Sequence, residues 1–372
     1  MTGIGTVDWL TEQVATRRLL LRPWRAEDAA PVRLACTDPA IQRWLSVPRP
    51  YTLADAERWV TDTGHTNRRS GTGLQCAVVT RDDGRLVGSA SLRLDGGARP
   101  VAEIGYWISA WARSRGYATE TTVGLCRWAF DHGVPRVELV AAVANEASQR
   151  VALAAGFRRE GLLRSTVQDG TSWTDAVLFG RLAADGTPPT RASLPELGEL
   201  TDGVVAVRRL VAGDEEALLE ERNDPESRRW STSPRGWSTE DCRRYVATTG
   251  SQWLTGSEAR VAITDVATGE YAGSVGLRVT VPPFRVAEIG YGLRASWRGR
   301  GYTARALRLL TRWAFEQAGL ARLELGTAAG NVASQRVAEA AGFRREGVAA
   351  LRLPTSDGGR TDEVRFGLAA PG

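Results

Sequence analysis

Apolar and polar positions along this 372-residue chain alternate in short runs, switch to helical spacing, switch back, and then repeat the whole succession. In the first half, RRLLLRP (17–23) reads as an opening strand. Residues 27–36 and 54–69 carry apolar side chains at helical spacing, with Thr52 and Asp55 as caps for the second helix. Strands near 74–81 and 85–94 flank Asp83-Gly84 and form a hairpin. A strand at 101–109 then feeds a basic, glycine-bearing loop. The helix that follows runs from near Gly116 to about His132, with Val123, Leu125, Trp128 and Ala129 on its apolar face. A strand at 136–143, a short helix from Asn145 to Ala155, and strands near 158–167 and 172–182 complete the unit.

At an offset of 185 to 187 residues the second half repeats this order. EIGYWISAWARSRGYATETTVGLCRWAF (Glu103 to Phe130) meets EIGYGLRASWRGRGYTARALRLLTRWAF (Glu288 to Phe315), and NEASQRVALAAGFRREG (Asn145 to Gly161) meets NVASQRVAEAAGFRREG (Asn331 to Gly347). A period this long marks a duplicated domain, since solenoid repeats are far shorter. Two domains, 1–183 and 204–372, are therefore expected. The Pro-, Gly- and polar-rich segment 184–203 reads as their linker. Hairpins first and a strand–helix–strand crossing later imply an α/β fold of α+β mixed-sheet type, each domain a twisted mixed sheet flanked by helices.

Composition narrows the chemistry. All 48 basic residues are arginine, so no side-chain amine exists to form a Schiff base or accept an acyl group. Cutting after Thr190 leaves 23 arginines against 20 acids, then 25 against 23. With the excess so evenly spread, nucleic acid is not an expected partner despite a pI near 9.3. Cys36, Cys76, Cys126 and Cys242 are widely spaced, and His65 and His132 have no counterparts in the other half. No disulfide framework, metal site or shared histidine catalysis is expected. No apolar run approaches the roughly 20 residues that span a bilayer, and the N-terminus lacks a signal-peptide pattern. A cytoplasmic protein without a membrane partner is the expectation.

A strand that enters a glycine-bearing loop and opens a helix presents free backbone N–H groups to an anion. Arg113, Arg115, Arg298 and Arg300 supply charge-assisted donors beside it. GRGYTA (Gly299 to Ala304) also matches a dinucleotide pattern, but the preceding hairpins and the first copy's SRGYAT do not fit that fold. A glycine serving only to open a helix is the plain alternative.

The element order and motifs resemble the GNAT superfamily of acyl-CoA N-acyltransferases, more closely its ribosomal-protein N-terminal acetyltransferase-like branch, over residues 17–183 and 204–370. That family's loop reads Arg/Gln-x-x-Gly-x-Gly/Ala. Arg113-x-x-Gly116-x-Ala118 fits, whereas Arg298-x-x-Gly301-x-Thr303 departs at its last position. The resemblance implies that Arg113, Ser114, Arg115, Gly116, Tyr117 and Ala118, and in the second copy Arg298, Gly299, Arg300, Gly301, Tyr302 and Thr303, hold the diphosphate of acetyl-CoA or another acyl-CoA. It implies that the strand backbone at Ile104, Tyr106 and Ile108, and at Ile289, Tyr291 and Leu293, lies along the thioester arm. Asn145 and Asn331 would lie beside the pantetheine. As plain helix chemistry, Asn145 and Asn331 are caps, with Ser148 and Ser334 in the first turn. Many family members carry a tyrosine acid on this helix. None follows either Asn here, so Ser148 and Ser334 are the candidate donors to the leaving thiolate. Arg150 and Arg336 either meet a nucleotide phosphate or are solvated.

Glu103 and Glu288 either pair with Arg93 and Arg278 or act as general bases through water, because an amine attacks only when neutral. The expected reaction is direct acetyl transfer to a primary amine in a ternary complex, with a protein or peptide α-amine favoured over a small-molecule amine. Alternatives are one catalytic domain beside a structural or regulatory one, and a non-enzymatic arginine-rich binding protein.

Overall fold

The computed structural model describes residues 7–95, 100–169, 172–186, 193–231, 235–355 and 358–371. The chain divides into two compact units, residues 1–191 and 192–372. The first opens with strands β1 (Val14–Ala15) and β2 (Leu19–Arg22) and helices α1 (Ala29–Cys36), α2 (Pro39–Trp44), α3 (Leu53–Thr61) and α4 (Thr66–Arg69). Strands β3 (Gly73–Thr80), β4 (Leu86–Asp95) and β5 (Val101–Ile108) lead to the long helix α5 (Tyr117–Asp131). Then follow β6 (Arg136–Ala142), α6 (Glu146–Ala154), β7 (Arg158–Asp169) and β8 (Ser172–Leu182).

The second unit repeats this order. It runs β9 (Leu200–Thr201), β10 (Val205–Arg209), α7 (Glu215–Asn223), α8 (Pro225–Arg229), α9 (Thr239–Ala247), α10 (Thr249–Leu254), β11 (Glu258–Asp265), β12 (Tyr271–Val281) and β13 (Val286–Leu293). Helix α11 (Tyr302–Glu316), β14 (Arg322–Ala328), α12 (Val332–Ala340), β15 (Arg344–Pro354) and β16 (Arg360–Ala369) close it. Each unit is a mixed sheet, ordered β1-β2-β3-β4-β5-β6-β8-β7 and β15-β16-β14-β13-β12-β11-β10-β9. The pairs β5/β6 and β13/β14 are parallel, the crossing that α5 and α11 make possible.

Alternation along the strands sorts side chains onto two layers. In the second unit Ala287 and Ile289 of β13 pack with Leu307, Leu310 and Trp313 of α11. In the first, Trp107 lies on the opposite face of β5, against a cluster that includes Val32, Ala56 and Val60 of α1 and α3. Trp128 and Trp313 are both buried.

Three local features differ from the sequence expectation. The helix expected over 54–69 starts on a Thr52/Asp55 capping box but stops at Thr61 and resumes at Thr66. At the break Asp62 leaves the helical region (φ −131°, ψ −71°), and a Cβ at Gly64 would stand 2.7 Å from the Trp24 ring and from the Trp59 carbonyl, so no larger residue fits there. Helix α2 was not foreseen. Asp38 caps it by accepting from the Ala40 amide, with Pro39 at its first position.

Segment 184–203 is not a linker along its whole length. Leu194 and Leu197 are buried in the second unit's core, β9 pairs with β10, and the Trp253 indole donates to the Leu194 and Pro195 carbonyls at 3.0 Å. Apolar burial draws this stretch into the second unit; residues 187–192 lie outside the described residues. The first unit has a matching anchor, the buried Arg68, which donates to the Trp9 and Glu12 carbonyls.

Candidate active site

In each unit the two central parallel strands part company. The β5/β6 ladder ends at Glu103↔Glu138, yet β5 stays paired with β4 as far as Ile108. The β13/β14 ladder ends likewise at Glu288↔Glu324, while β13 follows β12 to Leu293. The Ser109 amide donates to the Val87 carbonyl on β4, so strand alternation turns the amides of Ile104, Tyr106 and Ile108 toward the other edge. The last parallel rung engages the Ile104 amide. Those of Tyr106 and Ile108 lie beyond it and face the gap. The Arg294 amide donates to Ala272 in the same way, which places the amides of Tyr291 and Leu293 beyond the rung and that of Ile289 within it. Ile104 and Ile289 thus differ from the expectation, since the ladder uses their backbone donors. Their side chains are 2 % exposed in both cases and belong to the core.

The gap leads to the mouths of α5 and α11. Gly116 and Gly301 are the N-cap residues, both left-handed (φ 74° and 75°), and neither helix has a side-chain cap. The first helical amides after each glycine therefore have no intrahelical acceptor. Two residues earlier, Ser114 (φ 61°) and Gly299 (φ 75°) repeat the left-handed turn, at a steric cost only for the serine. A Cβ on Gly299 or Gly301 would meet nothing within 4 Å, so the space over this loop is open. Open space, unsatisfied amides and the positive end of a long helix suit a diphosphate.

The arginines divide. Arg113 is tied to Asp38 and to the Ile108 carbonyl (3.3 Å), and Arg298 to Asp224, the Ser227 hydroxyl and the Leu293 carbonyl. Both brace the loop against the neighbouring helix. Arg115 is exposed, and Arg300 lies 5.0 Å over the Trp297 ring. Tyr302 turns inward, donates to Asp265 and is 7 % exposed, so its ring does not line the loop. Thr303 is equally buried. Arg18, which the sequence reading passed over, reaches the first loop. Its guanidinium stands 4.8 Å over the Tyr117 ring and 3.5 Å from the Cβ position of Gly116, held by Glu120 of α5 at 2.6 Å. In the second unit that tie is reversed in sign, Arg305 of α11 to Asp202 at 2.7 Å. The only sequence signal was the Glu-for-Arg exchange between the copies.

Asn145 and Asn331 cap their helices, accepting from the Ser148 and Ser334 amides at 3.1 and 3.0 Å. A tyrosine does reach these serines, though from the strand. The Tyr106 hydroxyl lies 3.1 Å from Ser148 Oγ, and that of Tyr291 lies 2.9 Å from Ser334 Oγ and 3.0 Å from the Ser334 carbonyl. Burial pushes both phenols up to about 12, and the serine hydrogen bond acts in the opposite direction. Arg150 pairs with Glu146 at 3.4 Å, whereas Arg336 has Val332 at the matching position and is exposed.

Glu103 pairs with Arg93 at 2.6 Å and Glu288 with Arg278 at 2.5 Å. Their side chains remain 46 % and 42 % exposed, at the base of the gap. The ion pair is therefore present and does not seal either carboxylate from water. Next along the strand on the same face come Gly105 and Gly290, which leave the sheet bare beside each glutamate.

The two units diverge above this point. Gly292 stands where the first unit has Trp107, and a Cβ there would lie 2.1 Å from Glu221 Oε1. Glu221 is 1 % exposed and accepts from the Tyr271 and Ser274 hydroxyls at 2.6 and 2.8 Å. The corresponding residues of the first unit are Ala35, Leu86 and Ser89.

A family model and several known proteins match the chain. The acetyltransferase (GNAT) domain model matches residues 18–158 and again 205–344. The chain is 27 % identical over 160 residues to the uncharacterised N-acetyltransferase YoaA of Bacillus subtilis, covering 42 % of this chain and 90 % of that protein. Among solved structures, Mycobacterium smegmatis RimJ in complex with CoA-disulfide is 24 % identical, with 45 % of this chain and 83 % of that one covered and a TM-score of 0.42. The ribosomal-protein-S5-alanine acetyltransferase of Vibrio fischeri is 20 % identical, covering 46 % and 96 %, with a TM-score of 0.43. With the family model matched along both halves, the chain belongs to the GNAT acetyltransferase family, as a tandem duplication of an acyl-CoA-dependent N-acyltransferase domain.

Proposed function

We propose that the chain moves the acetyl group of acetyl-CoA directly to a primary amine in a ternary complex, with a peptide or protein α-amine as acceptor. The observation that carries this reading is the end of the parallel ladder at Glu103 and Glu288, which leaves strand amides on one side of a gap and a water-accessible carboxylate at its base. The amides of Tyr106 and Ile108, or of Tyr291 and Leu293, polarise the thioester carbonyl. Glu103 or Glu288 takes the ammonium proton through water, so that the neutral nitrogen forms the new N–C bond as the C–S bond breaks. The Ser148 or Ser334 hydroxyl donates a hydrogen bond to the departing sulfur, and the nitrogen's second proton leaves with it, so that coenzyme A departs as the free thiol. Gly116 and Gly301 lead the helix amides that receive the diphosphate. All four cysteines are buried free thiols, which supports transfer without a covalent acyl-enzyme.

The α-amine preference rests on the branch that the motifs resemble. Release of free thiol from acetyl-CoA, measured across N-terminal peptides and small amines, tests it. Faster turnover with peptides is the expected result; turnover of small amines alone would replace the acceptor class. A second reading, one catalytic domain beside a regulatory one acting on a small amine, draws support from the Trp107/Gly292 difference. Calorimetry separates the two, with two coenzyme A bound per chain expected and one supporting the rival.

A further inference from the structure

The second unit holds a pocket of about 440 Å³ that includes Arg235, Trp237, Asp241, Arg244, Tyr245 and Arg260 in its lining. Its inner wall reaches the sheet face that carries Glu288. The Tyr245 hydroxyl lies 3.8 Å from the Cβ position of Gly276, which pairs across the strands with Gly290, two residues from Glu288. At strand spacings, that puts the wall roughly 8 Å from the Glu288 backbone.

Charge distinguishes this pocket from the matching surface of the first unit. Three arginines and one aspartate line it, whereas the matched positions of the first unit are Arg49, Arg58, Asp55, Asp62 and Gln75, with no net charge. Partner choice sharpens the difference. Asp55 pairs with Arg58 in the first unit. Its counterpart Asp241 is instead held in a fork by Arg235, at 2.8 and 3.1 Å. Arg244, the counterpart of Arg58, is left exposed with no carboxylate partner among the described residues. Arg260 backs it, 3.9 Å over the Tyr245 ring and anchored to the Tyr245 carbonyl, Thr248 and Glu258. A guanidinium without a carboxylate, in a walled recess, is a receptor for an oxyanion.

We infer that the second unit takes an amine acceptor bearing an oxyanion, a carboxylate or a phosphate, which Arg244 receives, while the first unit takes acceptors without this requirement. The inference rests on the acetyl-transfer reading for its catalytic meaning, but the pocket is read out by binding. The test uses the full chain and three C-terminally amidated peptides that share an N-terminal Ala and carry Glu, phosphoserine or Gln at the second position. Calorimetry is expected to show one acidic-peptide site per chain, about tenfold tighter than the Gln peptide. The stronger of the two acidic peptides identifies the anion. Arg244→Gln removes the preference, and Arg58→Gln, the same change on the first unit, leaves it intact.

Equal affinity for all three peptides overturns the inference, as does a preference that survives Arg244→Gln or disappears in Arg58→Gln. Free-thiol release in the same samples separates the two readings. Acetylation without acidic preference keeps the enzyme and removes the pocket's role. Acidic preference in binding, sensitive to Arg244→Gln but without turnover, keeps the pocket and removes acetyl transfer.

Discussion

The hydroxyls of Tyr106 and Ser148 meet at 3.1 Å, and those of Tyr291 and Ser334 at 2.9 Å, although 42 and 43 residues separate the partners in sequence. The same contact forms in both units, between matching residues of the strand and of the capped helix N-terminus.

Removing the phenol from both units, Tyr106→Phe with Tyr291→Phe, leaves each serine without its fixed partner. Turnover is expected to fall about ten- to a hundredfold, with little change in the KM for acetyl-CoA. Steady-state kinetics checks this; a change confined to KM would assign the tyrosines to binding alone.

The same tyrosines give stability a pH dependence at the alkaline end. Their folded pKa of about 12 lies above the ordinary 10, so the unfolded chain loses these protons first. Stability from the buried neutral phenols is complete below pH 10 and declines as pH rises from 10 toward 12. Denaturant unfolding across that window is expected to show the decline, with a shallower slope in the double Phe variant.

Glu103→Gln with Glu288→Gln should separate catalysis from structure. Each carboxylate is nearly half exposed in its ion pair, so the two changes together cost at most about 2 kcal/mol of stability. Loss of a general base lowers kcat by about 10²- to 10⁴-fold. Thermal unfolding and kcat on the same samples decide the matter, and Arg93→Ala with Arg278→Ala, which spares the carboxylates, is expected to retain most activity.

Gly301→Ala forces a side chain into a left-handed turn, at about 1–2 kcal/mol. The new methyl also enters the open space over the helix mouth. Calorimetry is expected to show coenzyme A stoichiometry falling from two to one, and Gly116→Ala should do the same for the other unit.

Glu221 and Gly292 are coupled by volume. Gly292→Trp alone collides with the Glu221 carboxylate, and Glu221→Ala alone strips Tyr271 and Ser274 of their acceptor. The first unit already combines Ala35 with Trp107. The double variant is therefore expected to be more stable than the sum of the single changes predicts, by about 1–3 kcal/mol in a denaturant double-mutant cycle.

Much of this was legible in one dimension. The duplication, the order of strands and helices, the Thr52/Asp55 box and the Asn145 and Asn331 caps follow from spacing and turn chemistry within a few residues, which a sequence displays directly. The glycine loop was equally open to reading, because a left-handed residue opening a long helix is a local event. Helix α2 was missed because six residues show too little periodicity to stand out, and the close packing at Gly64 because the ring that crowds it, Trp24, lies forty residues earlier.

Long-range pairing alone decided the rest. That Arg113 and Arg298 brace a loop, that Arg18 reaches its mouth, and that Ile104 and Ile289 end a ladder all depend on which strands pair and where the pairing stops. The sequence by itself settled what the elements are and that they occur twice, since local backbone preferences need no partner. The fold alone settled which tyrosine meets which serine, and which arginine is left without a carboxylate, since those distances are set by sheet register between segments remote along the chain.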